Sequence, residues 1–136
     1  MTRRTRKEIL VSWLPLVHGA APLLTVLEHR DSILYRQVDE LVLCYKPSDI
    51  EGEFAPVFGR TMSELRGLAR PPVITEVHWN SKASPTDHGQ ILKFSKDVLR
   101  DLREREPDAC INIHLSPGTK AMHAVWLTLA HGSFIG

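Results

Sequence analysis

Apolar and polar positions along the chain fall into short runs alternating between two periods. Glu8 to Trp13, Glu40 to Tyr45, Val73 to Trp79 and Ala109 to Ser116 are compact, apolar and rich in Val, Ile, Leu or aromatic residues. Turn residues or charges bound each of them, as expected for strands of a covered sheet. Between them the spacing predicts helices over Ala21 to His29 or as far as Val38, roughly Glu51 to Ala69, and Asp87 to Arg105. The third is the clearest: Ile91, Ser95, Val98, Leu99 and Leu102 share one face, while Lys93, Lys96, Arg100 and Arg103 lie off it. A fourth helix starts near Gly118, with Met122, Val125, Trp126, Leu129 and Ala130 as its core stripe.

Strands and helices alternating at these lengths imply parallel βαβ units. The expected fold class is therefore α/β, a Rossmann-like open and mainly parallel sheet with helices on both faces and at least four strands. Ligands of such sheets sit beyond the carboxyl ends of the strands. The loops of interest are thus Leu14 to Ala21, Lys46 to Gly52, Asn80 to Thr86 and Ser116 to Lys120. Only His131 to Gly136 follows the fourth helix, where a further strand would normally begin. The expectation is one domain over residues 1–136, an N-terminal module excised from a longer chain, with its terminal strand truncated.

Composition narrows the function classes. With 136 residues, 43% hydrophobic and 24% charged, the chain can build one real core. A net charge of +1 argues against a nonspecific nucleic-acid binder, which would concentrate far more positive charge. Cys44 and Cys110 sit in apolar runs without metal-like spacing, so neither a disulfide framework nor a zinc site is expected, and a reducing cytoplasm fits. No apolar stretch approaches the roughly 18 residues needed to span a bilayer. The cluster Arg3, Arg4, Arg6 and Lys7 lacks the apolar region of a signal peptide and reads as a solvated tail. No cofactor and no metal are expected: His18, His88, His114 and His123 have no paired spacing.

The chemistry concentrates where the fourth strand turns into its helix. In Ser116-Pro-Gly-Thr-Lys120 the backbone N–H groups and positive dipole end of a helix face whatever lies beyond the strand. Gly118 permits close approach of a phosphate, Thr119 offers a hydroxyl and Lys120 a charge, although Pro and Ser or Thr also open ordinary helices. Trp13 and Trp79 end their strands and read either as base-stacking rings or as core. Asn112 and His114 alternate with Ile111, Ile113 and Leu115, so they are either a hydrogen-bonded core pair or groups reaching a pocket or an interface.

The strand followed by Ser116-Pro-Gly-Thr-Lys-Ala-Met122 resembles the signature after the fourth strand of CRISPR-associated Rossmann fold (CARF) domains. Pro85-Thr-Asp87 leading into a helix, and His114 to Thr119 leading into Met122-His-Ala-Val-Trp126, are similar to the N-terminal sensor of sigma-54-dependent activators. The sensor in question belongs to the regulator of the RNA-repair operon encoding RNA ligase and RNA terminal-phosphate cyclase. The resemblance implies a homodimer that binds a phosphorylated, nucleotide-like ligand, a cyclic oligoadenylate or an RNA end, at the dimer axis. It places Ser12, Trp13 and the Leu14 to Gly19 loop in that pocket together with Ser116, Gly118, Thr119 and Lys120. DNA would be contacted only through domains absent from this chain, and the chain carries no ATPase phosphate loop. Alternatives are a CRISPR-associated cyclic-oligoadenylate sensor or ring nuclease, and a dimerisation module without a small ligand. The residues form no nucleophile–base pair, so no fast enzyme is expected; slow cleavage of a bound ring, needing mainly positioning, stays open.

Overall fold

A computed structural model describes residues 6–15, 19–82, 84, 86–114 and 120–131. Four strands, β1 (Glu8–Trp13), β2 (Glu40–Tyr45), β3 (Val73–His78) and β4 (Cys110–Ile113), form one parallel sheet in the order β3-β2-β1-β4. The helices are α1 (Ala21–Glu28), α2 (Ala55–Arg66), α3 (His88–Arg105) and α4 (Lys120–His131). No helix among the described residues is long and apolar enough to cross a membrane.

Period-two alternation on the central strands builds two cores. Ile9, Val11 and Trp13 of β1 and Val42 and Cys44 of β2 pack with Ile91, Val98 and Leu99 of α3 and with Met122, Val125 and Trp126 of α4. Leu10, Leu41, Leu43 and Tyr45 point the other way, onto Leu23 and Leu27 of α1 and Met62 and Leu65 of α2. Such a division follows from the topology. The chain winds outward from β1 through β2 to β3 over one face, and α3 then carries it back across the other face to β4.

Element boundaries differ from the sequence pattern where local chemistry intervenes. The first helix stops at Glu28 instead of running toward Val38: Ser32 Oγ donates to the Val26 carbonyl at 2.6 Å, and Arg36, with φ +52°, donates its N–H to the Leu27 carbonyl at 2.9 Å. Gly52, at φ +60°, delays the second helix to Ala55, after two short 3₁₀ turns over Pro47–Ile50 and Gly52–Phe54. Asp87 caps α3 rather than belonging to it, its side chain accepting from the Gln90 N–H at 3.1 Å. β4 is described as Cys110–Ile113, shorter than expected, and Leu115 and Ser116 lie outside the described residues.

The amino-terminal end of the sheet is locked by charge. Glu40, only 2% exposed, receives a fork from Arg105 (Nη2 to Oε2 at 2.8 Å, Nη1 to Oε1 at 3.1 Å), Lys7 Nζ at 2.9 Å and Thr75 Oγ1 at 2.7 Å. One carboxylate therefore ties the segment before β1, β2, β3 and the last turn of α3 together, at the end opposite the strand termini where ligands of such folds bind.

Candidate functional site

The order β3-β2-β1-β4 reverses between β1 and β4. α1 packs on one face of the sheet and α4 on the other, and in open α/β sheets the ligand crevice lies beyond the carboxyl ends of the strands at such a reversal, here β1 and β4. The amino-terminal turns of α1 and α4, the elements after β1 and β4 respectively, belong to that end of the sheet. The first residue of α4 is Lys120, which is exposed.

Two of the residues singled out from sequence meet at this end of the sheet. Ser12 is fully buried, and its hydroxyl donates to the Trp13 carbonyl at 2.8 Å. Its Oγ also lies 3.3 Å from Nδ1 of His114, whose backbone N–H prolongs the β1–β4 ladder by donating to the Val11 carbonyl at 2.8 Å. With the serine proton on a carbonyl, this contact is a hydrogen bond when His114 carries a proton on Nδ1. The pair forms a polar step at the ends of β1 and β4.

The other candidates are placed elsewhere. Asn112 Nδ2 donates to Glu8 Oε2 at 2.9 Å and to the Ile9 carbonyl at 3.1 Å, so its amide is turned toward the amino-terminal half of β1 and ties the edge strand down. Trp13 is 2% exposed and belongs to an aromatic cluster, with ring centroids 5.4 Å from Phe94, 5.8 Å from Trp79 and 6.4 Å from Trp126. The indole thus faces α3 and α4. Trp79, 4% exposed, shares that cluster and carries Lys46 Nζ 4.8 Å above its ring, at the β2–β3 side of the sheet. Both rings occupy core positions. Ser116, Gly118 and Thr119 lie outside the described residues, as do His18 and Pro85.

Groups that sequence reasoning did not single out also line the carboxyl edge. Tyr45 Oη donates to Glu76 at 2.5 Å and lies 2.9 Å from His78 Nε2, with the phenol ring packed on Phe58. Burial, then the Glu76 carboxylate, push the Tyr45 hydroxyl well above its ordinary range, so it stays protonated and acts as a donor. Alternation on β2 and β3 put these residues on one face, but only the register Tyr45↔His78 makes them neighbours. Burial likewise pushes the Cys44 thiol up to about 12, which makes it a core atom and not a nucleophile. Among the described residues no three His, Cys, Asp or Glu side chains gather to hold a metal ion.

No family model matches the sequence, and no curated protein matches it. A solved structure does. The fold is similar to that of Csm6. The structure of Enterococcus italicus Csm6 bound to cyclic hexa-2'-fluoro-hexa-dAMP aligns with a TM-score of 0.71 at 16% identity, covering 91% of this chain and 31% of that one. The chain thus spans about a third of that protein's length. At this identity the likeness shows the fold, the α/β Rossmann-like arrangement that the CARF resemblance implies.

Proposed function

We propose that the chain is a ligand-sensing regulatory domain of a transcriptional activator, which binds a nucleotide-like ligand in the crevice at the ends of β1 and β4. One observation carries the reading: the reversal of strand order brings Ser12, His114 and Lys120 to the same end of the sheet as the amino termini of α1 and α4. Chemically the arrangement supplies imidazole and ammonium groups suited to the phosphates and sugar hydroxyls of a compact nucleotide, with the buried Ser12 hydroxyl positioned against the imidazole. We read the domain as a binder rather than a catalyst. β4 is an edge strand among the described elements, and pairing of two copies near it would complete a shared pocket. Sedimentation of a monomer at about tens of micromolar, with or without ligand, would contradict that pairing.

A second reading, a CRISPR-associated sensor of cyclic oligoadenylate, is favoured by the likeness to Csm6 captured with a cyclic hexanucleotide. Titration at moderate salt with cyclic tetra- and hexa-adenylate, RNA ending in a 2′,3′-cyclic phosphate, and random duplex DNA separates the readings. Sensing predicts a preference of about ten-fold or more for one compact phosphorylated ligand, because duplex binding needs many phosphate contacts spread over a basic surface. A preferred RNA end supports the activator, and a preferred ring supports the CRISPR sensor. Equal affinity for duplex and every small ligand would sink both.

A further inference from the structure

A cleft of about 520 Å³ opens between α1 and α2, lined by Gly19, Ala20, Ala21, Leu24, Val57, Arg60, Thr61 and Glu64. Its size falls in the range of roughly 300–1,000 Å³ typical of small-molecule sites. Three of its features are unexplained by folding. Thr61 is 1% exposed, yet its hydroxyl has no hydrogen-bond partner among the described residues. A mid-helix threonine ordinarily donates to the carbonyl four residues back, as Thr25 does to Ala21 at 3.0 Å; Thr61 does not. The hydroxyl faces the Gly19 turn, since a Cβ built on Gly19 would stand 4.0 Å from Thr61 Oγ1. Next, α1 has no side-chain cap: Ala20 is its N-cap, and Gly19 with φ +59° before Ala20 at φ −76°, ψ −11° turns successive N–H groups into a concavity suited to an anion. Finally, Arg60 lines the same cleft and is in no ion pair among the described residues.

We infer that this cleft is a second ligand site, which takes the phosphoryl group of a nucleotide between the amino terminus of α1 and Arg60, with the Thr61 hydroxyl as a hydrogen-bond donor. Glu64 sits one helical turn after Arg60 and would repel a bare anion. A sugar hydroxyl donating to Glu64 converts that repulsion into recognition, so the chemistry favours a sugar phosphate over free phosphate. The site shares the amino terminus of α1 with the crevice beyond β1 and β4, and is set apart from it by Arg60, Thr61 and Glu64 of α2.

The test is a titration of the domain, followed by amide NMR, with adenosine 5′-monophosphate and with inorganic phosphate as probes. The expected result is movement of the Gly19, Ala20, Ala21 and Thr61 amides, with the nucleotide binding about five-fold or more tightly than phosphate. Arg60→Ala should weaken the nucleotide about ten-fold, and Thr61→Val should weaken it about three-fold or more. Lys120→Ala, at the other crevice, should leave these amide shifts as they are. Thr61→Val should also raise the ligand-free Tm by about 2–4 °C, because it removes a buried hydroxyl that has no partner among the described residues and keeps the shape. The inference is overturned if these amides stay still at millimolar nucleotide, if phosphate binds as tightly as nucleotide, if Lys120→Ala abolishes the shifts while Thr61→Val keeps them, or if Thr61→Val lowers Tm.

Discussion

Glu40→Gln should lower Tm by about 10 °C, a loss of about 3 kcal/mol of stability. The carboxylate is buried and accepts hydrogen bonds from Arg105, Lys7 and Thr75 together, so the amide removes the buried counter-charge of two cations and leaves them only the partly exposed Glu106. Removing one partner of a buried ion pair costs about 3–5 kcal/mol. The lower end applies here because Lys7 and Arg105 keep 35% and 46% of their side-chain surface in water, where they are resolvated. Burial alone would raise the Glu40 pKa, but the hydrogen bonds from Arg105, Lys7 and Thr75 override it and hold the group at about 2, against an ordinary 4.5. The folded-state pKa is depressed, so the stabilisation is fully present above about pH 4.5 and is lost as pH falls from there through about 2. Thermal melts of parent and Glu40→Gln between pH 7 and pH 2.5 should converge on the acid side. A gap that persists unchanged at pH 2.5 would contradict the ionic account.

Trp13→Ala should be as damaging or more so, at about 3–5 kcal/mol. The indole touches Phe94, Trp79 and Trp126 at the meeting point of β1, β3, α3 and α4, and truncation leaves a cavity that three rings cannot fill without moving. Trp13→Phe is the informative companion. Nε1 of Trp13 has no hydrogen-bond partner among the described residues, so the phenyl ring forfeits packing and no hydrogen bond, which predicts a loss of about 1–2 kcal/mol. Ligand affinity should change by no more than about two-fold. An affinity loss of about ten-fold at unchanged Tm would instead show that the ring stacks on a base.

How much of this was legible in the chain depended on the range of the interaction. Period-two and period-3.6 patterning is local, and it located β1 and β2 to the residue and α3 to within its cap. The extension of the first helix toward Val38 failed because the residues ending it, Ser32 and Arg36, act by reaching back to carbonyls of α1. The apolar character of Trp13 and Trp79 was plain, but whether they meet each other or a ligand depends on Phe94 and Trp126, far along the chain. Glu40 shows the same limit more sharply: its partner Arg105 is 65 positions away, and nothing in the run Glu40 to Tyr45 marks its first residue as a buried ion. His114 could be named as a candidate from the alternation of its strand, and Ser12 only through the CARF resemblance. Their contact needed the β1–β4 register, in which Val11 stands opposite Ile113. The α1–α2 cleft was invisible because its defining signal, a Thr61 hydroxyl without a partner among the described residues, is a property of packing and has no sequence pattern.

The central claim is that a phosphorylated nucleotide-like ligand is gripped where α4 begins, and Lys120→Ala tests it most directly. Lys120 is exposed in the first turn of its helix, where a cation opposes the helix dipole, so the fold gains nothing from it. A charge-assisted contact to phosphate is worth about 1.5–3 kcal/mol, hence roughly ten-fold or more in affinity. Calorimetric titration of the compact ligand that the parent prefers should therefore show a ten-fold or greater loss for Lys120→Ala, with Tm unchanged or slightly higher. Unchanged affinity for a ligand that the parent binds would contradict the claim.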